Sequence, residues 1–288
     1  MMSVPMCPMR RARHFDFGKN WKSFSDSALT EKHIGQALSD FHNLMKDVPL
    51  KGRSFLDIGF GQGLTLCLAY RAGATCYALD IDPTCVEALR STARFFPDID
   101  ADSIPVVAGS ILDDRISEKL RQLRPVKEAG GFDVVHSWGV LHHTGTMQNA
   151  IQRAASLVRS GGHLVLAIYN THWTSPIWHL IKRIYVRSPR VIQRILIALF
   201  FPLIFVAKLA VTRRHPFKQA RGMDFYHDVI DWIGGYPYEY ATVEEIKRLV
   251  ESLGFRLERT IPTGVPTGCN QFVFRSQGSS APRRSSAA

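Results

Sequence analysis

Residues 54–63 read SFLDIGFGQG, a short apolar run that leads directly into glycines at positions 59, 61 and 63. The apolar run predicts a buried strand, and the glycines predict a tight turn into a helix, because glycine lets the backbone bend sharply and approach a ligand closely. The N-terminus of such a helix offers free N–H groups and a partial positive charge. The segment therefore predicts a ligand-binding turn between a strand and a helix.

An acidic residue follows this turn at the end of the next apolar run. Asp80 stands in the segment ALDID at 78–82, and a carboxylate at a strand end can accept hydrogen bonds from both hydroxyls of a ribose. A glycine-rich turn alone is also compatible with an ordinary strand-to-helix connection, so the pairing with Asp80 is the stronger signal. Leu64 occupies the place of the last glycine of a GxGxxG fingerprint, which favours a cofactor without a pyrophosphate.

The rest of the chain alternates short β-like runs with helical patterns, as expected for a mostly parallel sheet covered by helices. Strands are predicted near 54–58, 75–81, 104–108, 133–137 and 163–169, with helices near 63–71, 84–95, 116–123 and 147–158 between them. We expect the glycine pair at 161–162 to stop the helix after Val158. A helix near 243–253 and two closing strands near 256–261 and 270–275 complete a domain predicted over 15–275. A helical insert or lid is predicted at 171–240, and disordered ends at 1–14 and 276–288.

Several of these segments resemble motifs of class I S-adenosylmethionine (SAM)-dependent methyltransferases. Residues 57–63 resemble motif I, 78–82 the acidic motif after it, and 108–111 the third motif. Residues 132–143 resemble motif IV of the ubiquinone/menaquinone-methyltransferase-like branch (methyltransferase type 11/12), and 157–164 are similar to its LKPGG turn. The resemblance covers roughly 15–274 apart from the insert. It implies a Rossmann-like α/β sheet with a closing antiparallel strand, and SAM as the cofactor.

The resemblance also implies which residues contact SAM. The glycine turn would pass the methionine part, Asp57 would orient its amino group directly or through water, and Asp80 would bind the ribose. Trp21 lies in a segment similar to the one that covers the cofactor, although an ordinary aromatic residue on an amphipathic helix is an equally good interpretation. The full predicted set is Asp57, Gly59, Gly61, Gly63, Asp80, Ile81, Ser110, Ile111 and Trp21, in which Ile81, Ser110 and Ile111 flank the adenine.

Two histidines follow the fourth predicted strand, at the sheet edge where α/β proteins bind ligands. His142 or His143 is a candidate base for removing a proton from an acceptor hydroxyl, because an imidazole titrates near neutral pH. The alternative is that both only shape the loop. Trp138, Tyr169 and Asn170 fall at the same edge and are predicted to line the acceptor pocket. The five cysteines show no zinc-type spacing, and no metal site is predicted.

The predicted insert contains an unbroken apolar run at 195–207 with basic residues on both sides. A membrane-spanning helix needs about 20 apolar residues, and Pro202 is expected to interrupt this run, so it is predicted to be too short to cross a bilayer. It is predicted instead to lie on an anionic membrane; the alternative is a substrate lid or a dimer face. The flanking residues are Lys182, Arg183, Arg187, Arg190 and Arg194 before the run, and Lys208, Arg213, Arg214, Lys218 and Arg221 after it.

These observations predict a cytoplasmic, peripherally membrane-associated enzyme that methylates a small-molecule or lipidic acceptor such as a quinone, polyketide or glycolipid, with oxygen as the expected target. The net charge of +11 leaves an RNA-modifying methyltransferase as one alternative, and a non-catalytic SAM-binding partner subunit is another. Nucleic acid is the less favoured partner, because much of the charge lies in the insert. Residues 136–139 read HSWG rather than an Asn/Asp-Pro-Pro-Tyr/Phe motif, which argues against methylation of exocyclic amines on bases.

Overall fold

A single seven-stranded sheet organises the computed structural model, which describes residues 15–213, 215–218 and 224–278. The strands lie in the order β3-β2-β1-β4-β5-β7-β6. The neighbours among β1 to β5 are parallel, and β7 runs antiparallel to β5 and β6. This confirms the predicted sheet and its antiparallel closing strand. The bounds are β1 (Ser54–Ile58), β2 (Thr75–Asp80), β3 (Val106–Ala108), β4 (Phe132–Trp138), β5 (Val158–Tyr169), β6 (Phe255–Ile261) and β7 (Cys269–Ser276).

Helices cover both faces of the sheet because the central strands carry apolar side chains on both sides. Alternate residues point to opposite faces, so that Phe55 and Val134 join a core with α1 to α4, whereas Leu56 and Val135 join a core with α5 to α7 and α11. The bounds are α1 (Phe17–Ser27), α2 (Glu31–Met45), α3 (Leu64–Arg71), α4 (Thr84–Ala93), α5 (Asp114–Arg121), α6 (Arg124–Ala129), α7 (Met147–Ala155), α8 (Ser175–Arg187), α9 (Arg190–Thr212), α10 (Phe225–Gly234) and α11 (Val243–Ser252).

Helices α8, α9 and α10 occupy the stretch predicted as a helical insert. They share a third apolar core that includes Tyr185 of α8, Ile204 of α9 and Val229 of α10. The insert leaves the sheet at the end of β5 and returns at Ala241, which forms a parallel bridge with Asn170. It therefore stands beside the carboxyl ends of β4 and β5.

Two local predictions, on the end of α7 and on Ser276, were wrong. Helix α7 ends at Ala155 and β5 begins at Val158, ahead of the glycine pair, because Val158 already pairs with Phe132 of β4. The helix expected near 116–123 is present as α5, which begins two residues earlier because the Asp113 side chain caps it there, and the short α6 after it was not predicted. Ser276, expected in a disordered tail, is the last residue of β7. Gln277 and Gly278 follow it, and the rest of the predicted tails, 1–14 and 279–288, lies outside the described residues.

Helix α9 also differs from the prediction, because Pro202 does not interrupt it. The helix continues from Arg190 to Thr212, and side chains on both sides of the proline, including Phe201 and Phe205, pack against the core of the insert. Packing of this kind offsets the one helical hydrogen bond that proline removes. The resulting helix is long and apolar enough to cross a membrane by length and composition, which corrects the expectation that the segment is too short.

Candidate functional site

The turn after β1 needs its three glycines for both conformation and space. Gly59, Gly61 and Gly63 have φ angles of +75°, +54° and +77°, a region that other residues adopt only with strain. A Cβ on Gly59 would lie 2.4 Å from the Val140 side chain, and a Cβ on Gly63 would lie 2.3 Å from that of Leu89. The glycines therefore allow the turn to pack tightly as it enters α3.

Asp80 meets this turn directly at the end of β2. The Gly61 N–H donates a hydrogen bond to Asp80 Oδ2 at 3.1 Å, and the Asp82 N–H donates one to Oδ1 at 3.0 Å. Burial raises the pKa of the Asp80 carboxyl, and the two N–H donors oppose that rise. Each carboxylate oxygen can accept a second hydrogen bond. The site thus keeps acceptor capacity for a diol beside the glycine turn.

The residues predicted to flank the adenine lie near Asp80, but in different surroundings. Ile81 is 70% exposed directly after β2. The Gly109 N–H donates to the Asp80 carbonyl at 2.8 Å and brings Ser110 to the same edge, where the Ser110 hydroxyl accepts from the Leu112 N–H. Ile111 is buried in the core below. Of the three, Ile81 presents an exposed apolar side chain that a flat ring could cover.

Helix α1 lies across the glycine turn. A Cβ on Gly61 would lie 3.0 Å from both Cδ1 and Nε1 of Trp21, so the indole rests on the turn. One helical turn earlier the Phe17 ring lies 4.8 Å from the ring of His143. Because residues four apart share one face of a helix, α1 connects the glycine turn to the loop after β4. The N-terminal segment therefore lies over the glycine turn, and its covering of the cofactor stays a prediction.

Asp57 has a partner that the sequence analysis missed. Its Oδ1 lies 2.7 Å from Nδ1 of His136, and the two residues are 3% and 2% exposed. They are direct neighbours in the parallel pairing of β1 with β4. The pairing fixes one oxygen of Asp57 and orients the other, the oxygen that would face the amino group of SAM. The signal was present in the sequence, but reading it requires the strand order.

His142 is held in the tautomer that donates from Nε2. Its Nδ1 accepts a hydrogen bond from the Tyr169 N–H at 3.3 Å; because a backbone N–H can only donate, the neutral ring carries its proton on Nε2. Burial lowers the pKa of His142 well below its ordinary value. Nε2 has no hydrogen-bond partner among the residues that the structure describes. His142 is therefore neutral and is oriented as a donor.

His143 has the opposite tautomer. Its Nδ1 lies 2.6 Å from the Pro237 carbonyl oxygen, which can only accept, so the proton is on Nδ1 and the lone pair is on Nε2. His143 can therefore accept a proton at Nε2. His142 can do so only by giving up its hydrogen bond to the Tyr169 backbone. The geometry thus separates two candidates that the sequence left equivalent.

A buried lysine stands behind His143. Lys182 is fully buried, its ammonium donates to the Trp232 carbonyl, and it lies 4.4 Å from the Trp232 ring centre and 4.8 Å from that of Tyr238. A Cβ on Gly235 would be 3.0 Å from His143 Cε1 and 3.5 Å from Lys182 Nζ. Lys182 was grouped with the basic residues flanking the apolar run, and this was wrong: it faces inward and is not available to a membrane.

Asp231 is the buried acid whose charge acts most strongly on Lys182. Burial lowers the pKa of Lys182 and raises that of Asp231, and each charge partly offsets the shift of the other. Oδ1 of Asp231 has no hydrogen-bond partner in the described part of the chain. No pattern in the sequence indicated this pair, since both residues lie on helices whose inward face could not be identified.

The three residues predicted to line the acceptor pocket have different roles. Tyr169 is buried, with its ring centre 4.0 Å from that of His142. Asn170 Nδ2 donates to the Pro266 carbonyl and its Oδ1 accepts from Asn270 Nδ2. Both amide atoms therefore stabilise the loop that leads into β7. Trp138 is half-exposed at the end of β4, and its Nε1 donates to Gln271. Trp138 is thus the one of the three that presents an exposed ring at this edge.

Comparison with known sequences identifies one family. A family model described as a methyltransferase domain matches residues 30–260. The chain is 33% identical over 119 residues to a tRNA U34 carboxymethyltransferase of Alcanivorax borkumensis. These aligned residues cover 41% of this chain and 32% of that protein. The chain is 29% identical over 121 residues to a ubiquinone biosynthesis O-methyltransferase of Ralstonia nicotianae, covering 42% of this chain and 45% of that protein. The chain thus matches less than half the length of these relatives.

Solved structures share the fold at low sequence identity. An O-methyltransferase family protein from Burkholderia thailandensis superposes with a TM-score of 0.53 at 16% identity, over 90% of this chain and 60% of that one. Magnesium protoporphyrin IX methyltransferase from Synechocystis PCC 6803, solved with bound S-adenosylhomocysteine (SAH), gives a TM-score of 0.52 at 17% identity. The superposition covers 90% of this chain and 93% of that one.

Proposed function

The chain belongs to the methyltransferase-domain family, and we propose that it is a SAM-dependent methyltransferase that acts on a hydroxyl oxygen of a small-molecule or lipidic acceptor such as a quinone, polyketide or glycolipid. The observation that carries this proposal is the hydrogen bond from His143 Nδ1 to the Pro237 carbonyl. It puts the proton of the neutral His143 ring on Nδ1, so the basic nitrogen is Nε2, at the carboxyl edge of the sheet and next to the helix that lies over the glycine turn. A base is useful for a hydroxyl acceptor, which must lose a proton during methyl transfer.

The residues around the turn fit the cofactor. Asp80 keeps acceptor capacity for the ribose hydroxyls, and the His136 contact uses Oδ1 of Asp57, so Oδ2 is the oxygen proposed to meet the amino group. Ile81 offers an exposed apolar surface to the adenine, and Trp21 on the turn excludes water. When bound, SAM supplies an electrophilic methyl group on a sulfonium centre. The protein then has to align the acceptor with that group and keep water away from both.

His143 is proposed as the base in this arrangement. The acceptor hydroxyl gives its proton to Nε2, and the Pro237 carbonyl stabilises the resulting imidazolium through the Nδ1 proton. General base catalysis of this kind typically contributes about 10²–10⁴-fold to the rate. His142 is not proposed as the base, because its Nε2 already carries a hydrogen. That N–H can donate a hydrogen bond to the acceptor but cannot take up its proton.

The test is a transfer assay with methyl-labelled SAM and separate quinol, phenolic polyketide and glycolipid acceptors, measuring labelled product and SAH. His143→Gln is expected to lower kcat by about 10²–10⁴-fold and to leave SAH affinity unchanged. His42→Gln, an exposed histidine on α2, is the matched control. An unchanged kcat in His143→Gln, or a methyl group found on carbon or nitrogen, would overturn the proposal of base-assisted O-methylation.

An RNA acceptor is the second candidate, and the partial match to a tRNA U34 carboxymethyltransferase favours it. If it is correct, label enters tRNA, and RNA binding weakens steeply as salt increases, because basic residues then contact phosphates. Label in the small-molecule fraction and none in tRNA would support the first proposal. SAH binding without turnover on any acceptor would favour a non-catalytic partner subunit.

A further inference from the structure

The insert presents a continuous apolar surface on the outside of α9. The inward-facing residues of this helix recur every three or four positions, as in an ordinary packed helix, and they include Leu196, Phe200 and Ile204. Between Ile195 and Val211 every exposed residue is also apolar. Only 6% of the most apolar window of α9 is buried within the protein. The exposed members are Ile195, Ala198, Leu199, Pro202, Leu203, Val206, Ala207, Leu209, Ala210 and Val211.

Helix α8 adds a second exposed apolar row. Ile177, Leu180 and Ile184 are each about half exposed and recur at helical spacing. We call the exposed residues of α9 together with this row the apolar face. Proteins that stay monomeric in water rarely expose apolar patches larger than roughly a few hundred Å². A surface of this length therefore needs a partner that covers it.

Charge identifies the partner. No aspartate or glutamate occurs between Asp133 and Asp224, whereas exposed arginines stand at both ends of α9, at Arg190 and Arg194 and again at Arg213. A symmetric pairing of two α9 helices would bring arginines of one copy to arginines of the other. An anionic bilayer surface instead offers apolar chains to the helix and negative headgroups to its ends.

We propose that the apolar face lies in the surface of an anionic membrane, with α9 parallel to the plane of the bilayer. A crossing orientation is less favourable, although α9 is long enough. One whole side of the helix packs against α8 and α10, and Lys208 in its last third forms an ion pair with Asp228 of α10. A crossing helix would carry that pair into the hydrocarbon core, where charged groups are costly. In the plane of the membrane, the pair stays on the protein side.

The test is cosedimentation of the full-length protein with two kinds of vesicle, one of phosphatidylcholine with phosphatidylglycerol and one of phosphatidylcholine alone. Leu199→Gln combined with Leu203→Gln changes two side chains that are 57% and 56% exposed, so the fold is retained. This double variant is expected to weaken binding to the anionic vesicles by about 30-fold, from the loss of two half-buried leucines. Tyr70→Gln, an exposed apolar residue on α3, is the matched control and should bind like the wild type.

A second variant tests the charge. Arg190→Gln with Arg194→Gln is expected to weaken binding to the anionic vesicles by about fivefold for each arginine and to change binding to neutral vesicles little. The proposal is overturned if the wild type sediments with neither vesicle, or if the leucine variant binds as tightly as the control. It is also overturned if the leucine variant, without vesicles, converts a dimer into a monomer in light scattering, since the face would then be covered by a second copy. None of these measurements needs a methyl acceptor.

Discussion

Replacing Asp80 by alanine tests the cofactor site at its most specific contact. In the structure the Asp80 carboxylate accepts from two backbone N–H groups and from the Cys85 thiol, and each carboxylate oxygen can accept more than one hydrogen bond. We expect the two hydroxyls of a ribose to donate to these oxygens. A hydrogen bond to a charged group contributes about 1.5–3 kcal/mol. Because each oxygen is shared with an N–H, we take the lower value, and losing both bonds then costs about 3 kcal/mol, or about 150-fold in affinity.

The assay is calorimetric titration with SAH, with circular dichroism of each variant to confirm that it is folded. Asp80→Asn should fall between Asp80→Ala and the wild type, since the amide keeps one acceptor and loses the charge. Asp98→Ala is the control, because Asp98 is exposed and lies apart from the site. If folded Asp80→Ala binds SAH within threefold of the wild type, the ribose does not use this carboxylate and the cofactor site has been misplaced.

Four further predictions follow from individual side chains. Nitrogen-15 spectra of the histidine rings should place the proton of His143 on Nδ1 and that of His142 on Nε2; the reverse assignment would remove the basis for choosing His143 as base. Because burial lowers the pKa of His142, the unfolded state takes up a proton below about pH 6.5 that the folded state does not, so stability is full above that pH and falls by up to about 1.4 kcal/mol per unit below it. Urea unfolding at several pH values should show that the free energy of unfolding falls more steeply below pH 6.5 in the wild type than in His142→Asn. An equal dependence on pH in both proteins would contradict it. Lys182→Met should lower the free energy of unfolding by about 3 kcal/mol by leaving Asp231 buried without a nearby cation, and adding Asp231→Leu should restore part of it; a single variant as stable as the wild type would show that the two charges are uncoupled. Trp21→Ala should weaken SAH binding by about tenfold through lost ring contact, and unchanged affinity would mean that α1 does not cover the cofactor.

The sheet and the cofactor turn could be predicted because their signals are local. Apolar runs, glycines and helical periodicity lie within a few residues of each other; Gly61 lies in the turn that follows β1, and Asp80 ends β2. Adjacent parallel strands bring such ends together, so their contact follows once the two strands are recognised. The contact of Asp57 with His136 is of the same kind, but it depends on β1 lying beside β4, and the order of strands cannot be read from periodicity.

The acceptor side of the site could not be predicted, because its contacts join distant parts of the chain. The role of His143 depends on Pro237, which returns from the far side of the insert. Lys182 lies in a helix with apolar residues on more than one face, so its inward direction is set by the aromatic rings that surround it. The continuity of α9 through Pro202 likewise depends on packing against α10, which the apolar run does not reveal.

A crystal structure of the protein with SAH would show whether the glycine turn binds the cofactor and whether its sulfur is open to His143. We expect the ribose hydroxyls on Asp80, the amino group near Asp57, and a path from the sulfur to His143 Nε2 that no side chain blocks. A ribose bound away from Asp80, or packed side chains between the sulfur and His143, would contradict this expectation.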